Sequence, residues 1–252
     1  LPAIYGWQFF YVNTTIINNN SSILVRFTFS LNFPQNYCMK KIGIIGSGVV
    51  ARALGNGFLR HGYEVFLGTR DAAKLEEWKE KAGSKAHVGS VEDAAKFSGT
   101  VVLAVKGSAA AKVIEEAGPQ NLQGKTVIDT TNPIADIPPD NGVIKFFTNA
   151  DESLMEQLQN RFPEIHFVKA FNSVGNAYMV DPQFTEKPTM FICGNNDQAK
   201  KQVHDILEDF GWEVEDMGKA TGARAIEPLC ILWCIPGILK GKWNHAFRLV
   251  RN

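Results

Sequence analysis

Between residues 41 and 216, short β-branched runs alternate with stretches whose apolar residues recur at helical spacing. The runs predict strands at 41–45, 64–67, 86–88, 100–105, 126–129, 166–170, 189–193 and 212–216, with helices between them. Such a βαβα rhythm predicts an α/β fold with a doubly wound parallel sheet, covered on both faces. Chemical signals mark the helix ends. Gly62 stands where a left-handed C-cap belongs after the first helix, Asp71 precedes the second, and Ser90 with Asp93 forms a capping-box pattern before the third. Gly107 with Ser108, Asp151 and Asn196 open later helices.

After residue 219 the rhythm stops. Residues 223–234 predict one apolar helix, broken at Pro236-Gly237 and followed by a short amphipathic tail. Leu229, Ile231, Leu232 and Trp233 need cover, which the sheet edge, a partner subunit or a bound ring would supply; a homodimer is one such arrangement. The predicted organisation is therefore a dinucleotide-binding domain over 39–219 and a small C-terminal helical element over 220–252. Residues 1–38 read differently. They hold one charged side chain, Arg26, an Asn-rich patch at Asn18, Asn19 and Asn20, and no methionine before Met39. Lacking a basic n-region and a small-residue cleavage site, this stretch reads as a non-native or disordered extension rather than a targeting signal, and the sequons at Asn13 and Asn20 then carry no meaning. The competing reading is a half-buried strand, because Val25, Phe27, Phe29, Leu31 and Phe33 alternate with polar residues.

Composition narrows the partners. The 252 residues carry 26 basic and 26 acidic side chains, so no overall field gathers nucleic acid or an anionic membrane, and a small-molecule ligand is expected. Cys38, Cys193, Cys230 and Cys234 form no CxxC pair and no zinc-ligand spacing, so neither a disulfide framework nor a metal site is expected, and a cytoplasmic setting is.

The first strand runs into Gly46-Ser47-Gly48-Val49-Val50-Ala51 and then a helix, which is GxGxxA in the strand–turn–helix context of a Rossmann dinucleotide site. Gly46 permits the tight turn, Gly48 leaves room for the pyrophosphate, and Ala51 lets the helix approach the strand. The helix N-terminus then meets the phosphates with unpaired N–H groups. The end of the second strand selects the nucleotide. An NAD site places an acid there, whereas this chain has Thr69 and Arg70, with Lys74 close by, a set suited to the 2′-phosphate of NADP or, more blandly, to a solvated helix start. Glu64 begins its strand and so lies toward the wrong end of the sheet. Val105 and Lys106, with Asn132 and Pro133, reach the carboxyl edge of the sheet beside the nicotinamide half, although strand-end turns would explain Asn-Pro equally. Asn172 and Ser173, just beyond the sixth strand, read as substrate-side residues or as caps of a helix starting near Asn176.

Together the GxGxxA turn, Gly68-Thr69-Arg70, the Asn132-Pro133 turn and Lys169-Ala170-Phe171-Asn172-Ser173-Val174 resemble the coenzyme F420-dependent NADP oxidoreductases and the reductase domain of the STEAP metalloreductases, over residues 39–252. The resemblance implies NADPH bound through Ser47, Gly48, Val49 and Val50 and through Thr69, Arg70 and Lys74, with hydride passed to a stacked flavin or F420. It also implies that F420-specific members carry a histidine at the position of Asn172, so that the Phe-Asn-Ser form is closer to the STEAP-like branch, which uses a flavin.

Hydride exchange between two rings asks for no protein nucleophile or base, and the chain offers no Ser/His/Asp or Cys/His arrangement and no paired carboxylates; no catalytic side chain is assigned. His61, His87, His166 and His204 read as surface or satisfied histidines without partners, and Cys230 with Cys234, one helical turn apart, as core thiols rather than a redox pair. Two other readings remain open. One is an imine or carbonyl reductase of the pyrroline-carboxylate or hydroxyacid type, which needs a long helical C-terminal domain where about thirty residues stand here; the other is a sensor that holds NADP without turnover.

Overall fold

The computed structural model describes residues 12–19, 22–29 and 40–251, in two units, Leu1–Cys38 and Met39–Asn252. In the first unit β1 (Val12–Asn19) pairs antiparallel with β2 (Ser22–Phe29), Val12 opposite Phe29 and Asn19 opposite Ser22. The alternation at Val25, Phe27 and Phe29 falls within β2; Leu31, Phe33, Asn20 and Cys38 lie outside the described residues.

The second unit follows the predicted rhythm. Its elements are β3 (Lys41–Ile45), α1 (Val49–Arg60), β4 (Glu64–Gly68), α2 (Glu76–Ala82), β5 (Ala86–Gly89), α3 (Val91–Phe97), β6 (Thr100–Leu103), α4 (Ala110–Ala117), α5 (Pro119–Leu122), β7 (Thr126–Asp129), α6 (Leu154–Arg161), β8 (His166–Lys169), β9 (Thr189–Gly194), α7 (Asp197–Asp209), β10 (Glu213–Asp216), α8 (Ala223–Ile226) and α9 (Leu229–Lys240). The eight strands form one sheet in the order β10-β9-β8-β7-β6-β3-β4-β5. Six of them, β8 through β5 in that order, are parallel, the two βαβαβ halves meeting at β3 and β6 as in a Rossmann fold. Successive strand residues feed opposite faces: Ile44, Val102, Ile128 and Val168 join the cluster with α1 and α7, while Ile45, Val101, Val127 and Phe167 join the one with α3, α4 and α6.

One strand pairing departs from the expected parallel sheet. β9 lies antiparallel to β8, and β10 follows β9. Residues 170–188 supply only a 3-10 turn, Asn176–Tyr178, rather than the crossover helix that usually returns a chain for parallel pairing. A strand buried on both faces reads as the same apolar run in either direction, so the sequence pattern carries no sign of this reversal.

The helix ends mostly match their signals. Gly62 takes φ 84° after α1, Ser90 and Asp93 complete a capping box on α3, and the Asn196 side chain accepts from the Ala199 N–H at the start of α7. Two signals are displaced. Asp71 precedes a 3-10 turn, Ala72–Leu75, without a side-chain cap bond, and α6 is capped by Ser153 with Glu156 rather than by Asp151. The C-terminal helix also differs from expectation. Pro236 does not break α9, which continues to Lys240 and stops at Gly241 in the left-handed region, φ 65°. The proline removes one N–H in a helix otherwise intact, and the tail closes back over it. Trp233 Nε1 donates to the His245 carbonyl (2.9 Å), the His245 ring faces the Trp233 carbonyl (3.0 Å), and the Leu249 N–H donates to Thr189 Oγ1 (2.9 Å). Among the described residues, Ala220–Lys240 is long and apolar enough to cross a membrane, by length and composition alone; a third of it is buried here.

Candidate functional site

A cleft of about 580 Å³ opens at the carboxyl edge of the parallel strands, where β3, β4, β6 and β7 end. Its floor is the turn from β3 into α1. Gly46 has φ 143°, and a Cβ on it would lie 2.2 Å from the Ala104 carbonyl, so the turn fits against the end of β6 only as glycine. Gly48 is different. A Cβ there would meet nothing of the protein within 4 Å, so the space above it is free for a ligand. Gly48 is also the N-cap of α1 and gives no side-chain cap bond, which leaves the first-turn N–H groups turned outward without a side-chain acceptor. A bare turn beneath uncapped amides at the positive end of a helix fits a pyrophosphate.

Of the residues expected to hold the nucleotide, Gly46, Ser47, Gly48, Val49, Val50, Thr69, Arg70, Val105, Lys106 and Asn132 all line this cleft. Lys74 and Pro133 do not. Lys74 is exposed and sits 3.6 Å from Asp71, on the turn that follows Arg70, and Pro133 is buried, its carbonyl accepting from the Phe147 N–H (2.8 Å). Thr69 Oγ1 accepts from the Asp71 N–H at 3.2 Å, which fixes the turn, while Arg70 is exposed and enters no ion pair among the described residues. A guanidinium at the end of β4 that enters no ion pair among the described residues, in a cleft whose one lining carboxylate, Asp136, is engaged with Lys106, fits a 2′-phosphate. Glu64 pairs with Lys41 (3.2 Å) and His87 (2.8 Å) at the other end of the strand.

The opposite wall was only partly legible from sequence. Thr130 and Thr131 line it along with Asn132, at the strand end whose sequence marked the sheet edge. Ile134 and Asp136 join them from the loop after β7. Asp136 pairs with Lys106 at 3.0 Å, across thirty residues of sequence with no local signal. Asn172 and Ser173 are buried and do not line the cleft. Neither caps the turn at Asn176, whose N-cap is Gly175. Asn172 instead holds Asn132. Its carbonyl accepts from Asn132 Nδ2 (2.8 Å), and its Nδ2 donates to Asn132 Oδ1 (3.2 Å) and to the Ile226 carbonyl (2.9 Å). Phe171, just before it, takes φ 61°, a backbone state costly for a bulky residue and so imposed by its surroundings.

Beneath this wall lies a buried charge cluster that sequence reasoning missed. Lys169, at the end of β8, is fully enclosed. Its Nζ lies 2.7 Å from Asp129 Oδ2, as an ionic contact rather than an aligned hydrogen bond, and 2.9 Å from Glu227 Oε1. It also donates to the Thr131 carbonyl (2.8 Å). Burial alone would pull the ammonium pKa down, but the charges of Asp129 and Glu227 outweigh it and hold the group above its ordinary value. Asp129 Oδ1 accepts from the Thr131 N–H (2.9 Å) and hydroxyl (2.7 Å). Glu227 accepts from the Leu154 and Met155 N–H groups, at 2.9 and 3.0 Å, in the first turn of α6. A lysine within an apolar run was the available signal; its partners lie 40 and 58 positions away, beyond any local pattern.

Three of the four histidines expected to lack partners have them, and His166 has none among the described residues. His61 meets Asp181 at 2.9 Å, His87 meets Glu64, and His204 lies 3.6 Å from both Asp205 and Glu208. None of these three lines the cleft. Cys230 is buried with its thiol pushed up, chiefly by the neighbouring Cys234 and then by burial, while Cys230 in turn draws Cys234 down.

The chain is similar to proteins already known. The family of coenzyme F420-dependent NADP oxidoreductases matches residues 41–133. The metalloreductase STEAP3 of Rattus norvegicus is 30% identical over 207 residues, which is 79% of this chain and 39% of that protein, so the chain spans about two fifths of that relative's length. The F420-dependent NADP reductase of Methanocaldococcus jannaschii is 29% identical over 176 residues, 66% of this chain and 78% of that one. A solved structure from Arthrobacter sp. FB24, provisionally assigned as an F420-dependent NADP-reductase, superposes with a TM-score of 0.78 at 30% identity, covering 84% of this chain and all of that one.

Proposed function

Because this chain belongs to the family of F420-dependent NADP oxidoreductases, we propose that it moves a hydride between NADPH and a flavin or deazaflavin ring bound in the same cleft. NADPH, when bound, supplies the hydride from its nicotinamide, and the acceptor takes it together with a proton from solvent.

The chain's own part is to hold and orient. The uncapped amides at the start of α1 bind the pyrophosphate, and Arg70 takes the 2′-phosphate. Val105 and the Thr130–Asn132 edge then set the far wall, against which the nicotinamide half lies. Holding two rings in reacting orientation is the largest contribution open to a site of this kind.

One observation carries the choice of acceptor. The ionisable side chains lining the cleft are Arg70, Lys106 and Asp136, all exposed, with Lys106 and Asp136 engaged with each other. Reduction of an imine or carbonyl calls for a proton donor held at the substrate, whereas ring-to-ring hydride transfer does not. Val49 and Ile134, both lining the cleft and largely exposed, add apolar surface on which a flat ring can lie.

The test is NADPH oxidation followed by absorbance, with FMN, FAD and F420 added separately and NADH as control. Acceptor-dependent oxidation that is faster with NADPH supports the proposal and names the acceptor. NADPH binding without oxidation by any of the three overturns it, and leaves the imine or carbonyl reductase and the non-catalytic sensor to be tried.

A further inference from the structure

The buried charges beneath the cleft have a functional reading. We infer that Lys169 is a positioning residue, which fixes the Thr131–Asn132 edge of the cleft and ties that edge to the C-terminal helical segment. The inference rests on the proposed hydride transfer and goes beyond it, because Lys169 is fully enclosed and does not line the cleft.

The geometry converges on one peptide unit. Lys169 Nζ takes the Thr131 carbonyl, and Asp129, its ionic partner, takes the Thr131 N–H and hydroxyl. Every polar group of Thr131 is thereby held by the cluster. Thr131 and Asn132 line the cleft, and the Asn132 amide is clasped by Asn172, whose own amide reaches the Ile226 carbonyl one residue before Glu227. Two independent routes therefore join the cleft wall to the segment around α8. One is ionic, through Lys169 and Glu227; the other is amide to amide, through Asn132 and Asn172.

The charges also balance only with the lysine in place. Two carboxylates face one ammonium and the N–H groups opening α6, so the cluster is close to neutral when the helix end is included. Without Lys169, two buried acids would share the space, and the Thr131 carbonyl would lose its donor. The phosphate contacts at Gly46–Val50 and Arg70 contain none of these groups; only the wall against the nicotinamide half does. Loss of Lys169 should therefore disturb reaction geometry far more than nucleotide affinity.

The experiment compares the full chain with Lys169→Met and with the charge-free triple variant Lys169→Met, Asp129→Asn, Glu227→Gln. Four quantities are read: thermal midpoint, NADPH Kd, kcat with the best acceptor, and the fluorescence anisotropy of the bound nicotinamide. A merely structural ion cluster can be replaced by neutral groups of similar volume without loss of stability. The triple variant is thus expected to regain the midpoint. If Lys169 positions the wall, that folded variant keeps its Kd within about threefold of wild type, while kcat stays down by about tenfold or more and bound NADPH loses anisotropy. Recovery of kcat and anisotropy together with the midpoint would reduce Lys169 to a stabilising role and overturn the inference, as would a wild-type kcat in Lys169→Met. Should Lys169→Met fail to fold, the triple variant decides alone. Should the wild-type chain reduce no flavin at all, the proposed acceptor is lost, and the anisotropy of bound NADPH still decides the role of Lys169.

Discussion

At the scale of single residues, the two glycines of the β3–α1 turn make separable demands. Gly46 is required by the protein, since its Cβ would press on the Ala104 carbonyl; Gly46→Ala should cost more than about 1 kcal/mol of stability, read as a lowered denaturation midpoint. Gly48 is not required by the protein, and in the proposed site it is required by the ligand. Gly48→Val should keep a near-wild-type melting temperature and lose binding of NADPH and NADH alike, whereas retained binding would mean that this turn does not face the pyrophosphate. Arg70→Ala acts on one nucleotide only. Removing a charge-assisted contact at an exposed site should raise the NADPH Michaelis constant about tenfold and leave that for NADH unchanged; an equal rise for both would remove Arg70 from the 2′-phosphate. That these three positions would line the cleft was legible in sequence, because a turn of six residues and the end of one strand place them there locally.

At the scale of elements, the attachment of α6 to the C-terminal segment has a pH signature. Glu156 closes the capping box with Ser153 and receives the Arg224 guanidinium, Nη2 to Oε1 at 2.7 Å and Nε to Oε2 at 2.9 Å. The Arg224 hydrogen bond, working against burial, holds the Glu156 carboxyl below its ordinary value of 4.5. A depressed carboxylate adds stability that is fully present above that ordinary value and is lost as pH falls through the lower, folded-state one. Arg224→Ala should therefore melt below wild type at neutral pH, and the gap should close as pH falls below that ordinary value of 4.5 and through the lower, folded-state one. A gap that persists in acid would show that Arg224 stabilises by packing rather than by its charge. Of the elements themselves, strand positions were readable and strand direction was not. The caps were both written locally: Ser90 with Asp93 is one capping box, and Ser153 with Glu156 is an equally contiguous one, two residues beyond the Asp151 expected to open α6; only the support that Glu227 gives the first N–H groups comes from more than seventy residues away.

At the scale of the whole molecule, every residue lining the cleft lies between 46 and 136, inside the unit Met39–Asn252. A chain beginning at Met39 should then bind NADPH with the affinity of the full chain, as measured by fluorescence titration; a weaker one would give residues 1–38 a part in the site. The amino-acid sequence by itself determined the parallel core, the nucleotide turn and the basic end of β4, because each rests on interactions within one βαβ unit, where periodicity and turn chemistry act directly. It could not determine the reversal of β9, since apolar alternation has no direction. Nor could it place Asn172 and Lys169. They stand three positions apart in a recognisable run, yet Asn172 clasps Asn132 and Lys169 joins Asp129 to Glu227, contacts that exist only once β7, β8 and the C-terminal segment have come together. Pro236 makes the same point: its local preference is to end a helix, and α9 continues through it to Lys240, with the returning tail bonded to Trp233. Tertiary structure decided these features because a buried charge, or a helix carrying a proline, is stable only with partners that the chain brings from a distance.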